Sequence, residues 1–113
     1  MLPEKFVHVF ITNELRGKVA INIYLKGAYL DREILKALRA YYFRELHVFQ
    51  RFANPYSYHQ ELTRILRILD KAGYPVVVNS ELMRDLASAL FNDPFDIERV
   101  QKELNLSNLR VIG

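Results

Sequence analysis

The segment Arg39–His59, RAYYFRELHVFQRFANPYSYH, interleaves Arg39, Arg44 and Arg51 with seven Phe and Tyr residues, half of those in the chain. A guanidinium pairs with phosphate in a planar fork, and an aromatic ring stacks on any base. Together they form the chemistry of a nucleic-acid surface, above all a single-stranded one. Tyr41, Tyr56 and Tyr58 are the ring candidates, because tyrosine tolerates one wet end. The competing expectation is that Phe43, Phe49 and Phe52 are core and the arginines merely solvate the other side.

Two further basic stripes accompany this segment. Arg64, Arg67 and Lys71 fall at i, i+3, i+7, and Arg32, Lys36 and Arg39 repeat the pattern earlier in the chain. If the two helices that carry them lie on one sheet face, they can grip one phosphate backbone; otherwise each is an ordinary solvated helix face. The expected binding set is therefore Arg39, Tyr41, Arg44, Arg51, Tyr56, Tyr58, Arg64, Arg67 and Lys71.

Catalytic patterns are sparse. His47 and His59 lie near arginines and offer metal-free acid–base chemistry on a phosphodiester, an enzyme reading second to binding. His8, His47 and His59 show no metal-ligand spacing, so no metal is expected. A two-metal nuclease needs carboxylates at strand ends, and Glu81 is the one candidate. Gly17, Gly27, Gly73 and Gly113 are isolated, which disfavours a phosphate-cradling loop and any nucleotide cofactor. With no cysteine, thiol catalysis, disulfides and zinc ribbons are excluded. The residues 80–104 have helix-turn-helix length, but the second helix is net acidic where a groove reader is basic.

Charge is uneven. Residues 1–72 hold 12 Lys/Arg against 7 Asp/Glu, whereas residues 73–113 hold 4 against 6. The basic part is the one that carries the stripes, as expected for an anion-binding end. Half of the 113 residues are hydrophobic. That suits one globular domain spanning 1–113, with about 6,500 Å² of folded surface and a share of apolar residues high enough to suggest a homo-oligomer interface. Nothing at Met1–Lys5 resembles an export signal and no apolar run approaches ~20 residues, so a cytoplasmic chain without a membrane span is expected.

The elements that must position these residues read as ββαβαβααβ. Phe6–Thr12 and Val19–Leu25 predict a hairpin across a turn at Asn13–Lys18, with Val19, Ile21, Ile23 and Leu25 on one face. Asp31 caps a helix from Arg32 to about Phe43, whose stripe is Ile34, Leu35, Leu38, Tyr41 and Tyr42. A strand over about Leu46–Arg51 follows. Ser57 and Gln60 form a capping box for a helix to Ala72, Gly73 ends it, and Tyr74–Val78 is a buried parallel strand. Asn79 or Ser80 caps the next helix, Asp93-Pro94 starts another, and Leu109–Ile112 is the last strand. The helix–Gly73–strand order of Leu69–Val76 resembles small PIN-like nuclease domains over about half the chain, without their acidic residues. The fold class is α/β, a mixed sheet with an N-terminal hairpin and helices packed on it, in two or three layers. The expected function is a non-enzymatic nucleic-acid-binding or accessory module; a small metal-independent phosphodiesterase and a structural homo-oligomeric protein are the alternatives.

Overall fold

The two faces of the first two strands set up the whole molecule. In the computed structural model, which describes residues 2–13 and 17–113, β1 (Phe6–Asn13) and β2 (Val19–Lys26) pair antiparallel with Val7, Val9 and Ile11 opposite Leu25, Ile23 and Ile21. These residues face the helices, and their neighbours Phe6, His8, Phe10 and Thr12 face away. The turn expected over Asn13–Lys18 includes residues 14–16, which lie outside the described residues.

The remaining elements are α1 (Arg32–Leu38), β3 (Tyr41–Phe43), β4 (Val48–Ala53), α2 (Tyr58–Lys71), β5 (Val76–Asn79), α3 (Ser80–Phe91), α4 (Ile97–Glu103) and β6 (Leu109–Ile112). They build a mixed six-stranded sheet in the order β3-β4-β2-β1-β5-β6, with β1, β5 and β6 parallel. The α/β class and the N-terminal hairpin are as the pattern predicts; the order gains one strand, β3.

That strand corrects the reading of the first helix. Arg39 adopts a left-handed conformation (φ 55°, ψ 36°) as the C-cap, so α1 stops at Leu38 instead of Phe43. Tyr41 and Tyr42 sit at both helical and strand spacing after Leu38, and cross-strand pairing decides between them: Tyr41, Tyr42 and Phe43 stand opposite Gln50, Phe49 and Val48. The following strand accordingly starts at Val48 and runs to Ala53.

Helix starts are partly as expected. The Asn79 side chain accepts the Leu82 amide at 2.8 Å. Ser57 occupies the N-cap of α2, but its side chain makes no cap bond, and the Gln60 amide goes to the Ser57 carbonyl instead. Asp93 holds a turn by accepting the Phe95 amide at 3.0 Å, and α4 begins later, with Asp96 at its N-cap. Gly73 (φ 86°) ends α2 in the left-handed region that glycine adopts freely.

All four helices lie on one sheet face. Leu38, Leu62, Ile65, Leu66, Leu69, Leu82, Met83, Leu86 and Val100 share one core with Val7, Val9, Ile21, Ile23, Val76 and Val78. Topology explains this. The crossover from β2 through α1 to β3 runs on an inverted strand and in the opposite lateral direction from those through α2 and through α3–α4. Right-handedness therefore puts every helix on the same side.

The opposite face carries Phe6, His8, Phe10, Tyr24, Tyr41, Phe43, Phe52, Val77 and Ile112 by register, and none of them joins that core. Among the described residues, no helix covers it. The molecule is a thin slab, 36 × 35 × 24 Å, with 7524 Å² of accessible surface. That is roughly 1,000 Å² above the expectation for its mass. No helix among the described residues is long and apolar enough to cross a membrane.

Candidate nucleic-acid interface

The end of α1 and the unpaired end of β4 enclose a basic concavity. Because β3 stops at Tyr41 and the chain turns into the Arg39 cap, the edge of β4 beyond Gln50 has no strand beside it. The resulting groove, about 450 Å³, is lined by Arg32, Leu35, Lys36, Arg39, Ala40, Tyr41 and Arg51. Four basic side chains and one phenol line it; Glu61, the carboxylate paired with Arg51, is not part of the lining. Arg32, Lys36 and Arg39 are exposed, and none of them forms an ion pair among the described residues.

Arg51 and Arg64 are committed to the fold. Arg51 Nε lies 3.4 Å from Glu61 Oε2, and its guanidinium donates to the Arg39 carbonyl at 3.5 Å. Arg64 pairs with the same carboxylate at 2.7 Å and donates to the carbonyls of Ala37 and Leu38, the last of α1, the Leu38 bond being 2.8 Å. A cation there satisfies helix-end carbonyls that have no intrahelical partner. The hydrogen bond from Arg64, with both guanidinium charges, holds the Glu61 carboxyl below its ordinary value, against an opposing effect of burial.

α1 and α2 lie side by side on one sheet face, so the geometric condition for joining the two basic stripes is met. Arg67 and Lys71 are exposed and continue from Arg64 along α2 by about 10 Å. The other expected residues disperse. Arg44 lies in the β3–β4 turn, with His47 beside the Tyr42 hydroxyl at 3.2 Å. Tyr56, 94% exposed, and Tyr58 lie past the opposite end of β4, a strand of roughly 20 Å. His47 and His59 are thus at opposite ends of one strand and share no site.

A second concavity, about 190 Å³, opens at the carboxyl ends of β1 and β5. It is lined by Ile11, Asn13, Val19, Tyr58, Asn79, Glu81, Leu82 and Asp85. Its character is acidic, opposite to that of the groove. Burial and the Asp85 charge push the Tyr58 phenol up; burial pulls the His59 imidazole down, against a smaller opposing pull from Asp85. Asp85 escaped the sequence reading, although Glu81 and Asp85 are spaced i, i+4 just after a buried strand, a spacing that puts both on one side of α3. Among the described residues, no group of three or more His, Asp or Glu side chains is placed to hold a metal.

No family model, curated protein or solved structure matches this chain.

Proposed function

We propose that this protein is a nucleic-acid-binding module that holds a phosphate backbone in the α1–β4 groove and along the exposed side of α2. The observation that carries the reading is the lining of that groove: Arg32, Lys36 and Arg39, exposed and without an ion pair among the described residues, with the Tyr41 ring and the Glu61-paired Arg51. Each cation that neutralises a phosphate releases a condensed counterion, so a few such contacts make a binding surface without base recognition. Arg67 and Lys71 lengthen the track. The separation of His47 from His59 favours binding over hydrolysis, because neither a histidine nor a carboxylate lines the groove.

The test is a fluorescence-anisotropy titration of a labelled oligonucleotide at low salt with wild type and with the triple variant Arg32→Ala, Lys36→Ala, Arg39→Ala. The variant binds at least roughly ten-fold more weakly if the groove holds phosphate. Equal affinity of the two proteins contradicts the reading.

A further inference from the structure

We infer that the strand held in the groove is single-stranded and that its bases lie on the bare sheet face, stacked on Phe43, Tyr41 and Phe52. This rests on the nucleic-acid reading above and adds to it which form of nucleic acid is bound and where its bases go.

Register places the three rings in one row. Phe43 and Tyr41 are two apart on β3 and so share a face, about 7 Å from each other. Phe52 lies two residues beyond Gln50, the partner of Tyr41, which makes it a diagonal neighbour at roughly 7–8 Å. The rings are 38%, 76% and 44% exposed. Tyr41 belongs to both surfaces: it lines the basic groove and stands on the bare face. A chain whose phosphates follow Arg32, Lys36 and Arg39 can therefore turn its bases over the sheet edge onto these rings.

Charge decides the class of occupant. None of the six strands contains an aspartate or glutamate. Among the described strand residues, the charged ones that register places on the bare face are Lys26 and Arg110, both exposed. A polyanion with flat apolar bases complements such a face. A second copy of this chain is a poorer match, since the strands of the face carry positive charge and no carboxylate to pair with it across a two-fold axis. Base identity is not read. The two amides at the centre, Asn22 and Gln50, are 0% and 4% exposed and bonded to each other at 2.7 Å, so no edge is offered to a base. Stacking without such contacts is tolerant of sequence. A duplex keeps its bases stacked inside and cannot use the rings.

The experiment measures affinities of labelled single-stranded DNA and RNA, the matching duplex and an abasic oligomer of equal length. The proteins are wild type, Tyr41→Ala, the double variant Tyr41→Ala/Phe52→Ala, and the groove triple variant. All are also run in sedimentation velocity at several concentrations. The inference expects wild type to prefer the single strand over duplex and abasic oligomer. It expects the double variant to lose that preference with a fall of roughly five- to a hundred-fold per stacked base, and the groove variant to weaken all ligands together. Tyr41→Ala alone, at a site 76% exposed, keeps the test valid if the double variant fails to fold. Unchanged single-strand affinity in the ring variants, with binding still lost in the groove variant, overturns the inference and leaves the phosphate reading standing. No binding of any oligonucleotide by wild type overturns both. A wild-type dimer that the double variant Tyr41→Ala/Phe52→Ala converts to monomer, with single-strand affinity unchanged, assigns the face to a second copy and also overturns the inference.

Discussion

Gln50 Nε2 donates to Asn22 Oδ1 at 2.7 Å, joining β4 to β2 on the bare face of the sheet. Asn22 Nδ2 passes the chain on to Thr12 Oγ1 at 3.0 Å, so three strands are tied by side chains on the side away from the helices. Asn22 and Gln50 are the buried polar residues among the described residues. They fix register where apolar alternation is weakest, because a one-residue slip of β4 would separate them. Replacing Asn22 or Gln50 singly by leucine strands the other amide and costs about 1–3 kcal/mol. Replacing both costs less than the sum. Urea unfolding of the two single variants and the double variant closes the cycle.

Arg64 is a basic residue that the fold consumes. Arg64→Ala removes its bonds to the Ala37 and Leu38 carbonyls and its pair with Glu61. A loss of about 1–3 kcal/mol is expected, as for hydrogen bonds from a charged donor. The dependence of nucleic-acid affinity on salt should be that of wild type. A stable Arg64→Ala protein with a smaller salt dependence would place Arg64 on the phosphate track instead.

Arg39 sets stability against binding. A non-glycine residue in the left-handed region costs about 1–2 kcal/mol, and Arg39 has φ 55°. Arg39→Gly relieves that cost and should raise the midpoint of thermal unfolding, while removing a groove cation and weakening oligonucleotide binding. Arg39→Ala should lower binding without the gain in stability. A fall in the midpoint for Arg39→Gly would mean that the side chain stabilises the cap more than its conformation costs.

Acid should weaken the fold in two steps. Burial holds His8 and His59 below their ordinary 6.5, and the bond from Arg64 holds Glu61 below 4.5. In each case the unfolded chain binds the proton more readily. Stability is therefore fully present above the unfolded value and is lost as pH falls below it. The first loss begins below about pH 6.5 and the second below about pH 4.5. His8 lies on the bare face with its Nε2 buried and without a partner among the described residues. His8→Phe should flatten its share of the first step. Denaturant midpoints measured from pH 8 to pH 4 for wild type and His8→Phe give the comparison.

Much of this was written in the sequence. Alternation in Val19–Leu25, the Leu69–Gly73–Val76 junction and the Leu109–Ile112 strand carry their own signals, since burial on one face or two leaves a period. The end of α1 did not, because Tyr41 and Tyr42 satisfy helix and strand spacing together and a left-handed arginine gives no cue of the kind a glycine would. The stripe of Arg32, Lys36 and Arg39 was legible from spacing. That Arg51 joins it follows from strand register, and that Arg64 is spent on the end of α1 follows from how two helices pack. The bare face depends on crossover direction, which only strand order fixes.

The most direct measurement of the central claim is the slope of log affinity against log salt for a short oligonucleotide. Wild type should lose affinity steeply, with a slope near −0.7 per phosphate contact for a single strand. Lys36→Ala should shrink the number of contacts by about one. A flat wild-type response, or a slope in Lys36→Ala and Arg39→Ala identical to that of wild type, would contradict the assignment of the α1–β4 groove to a phosphate backbone.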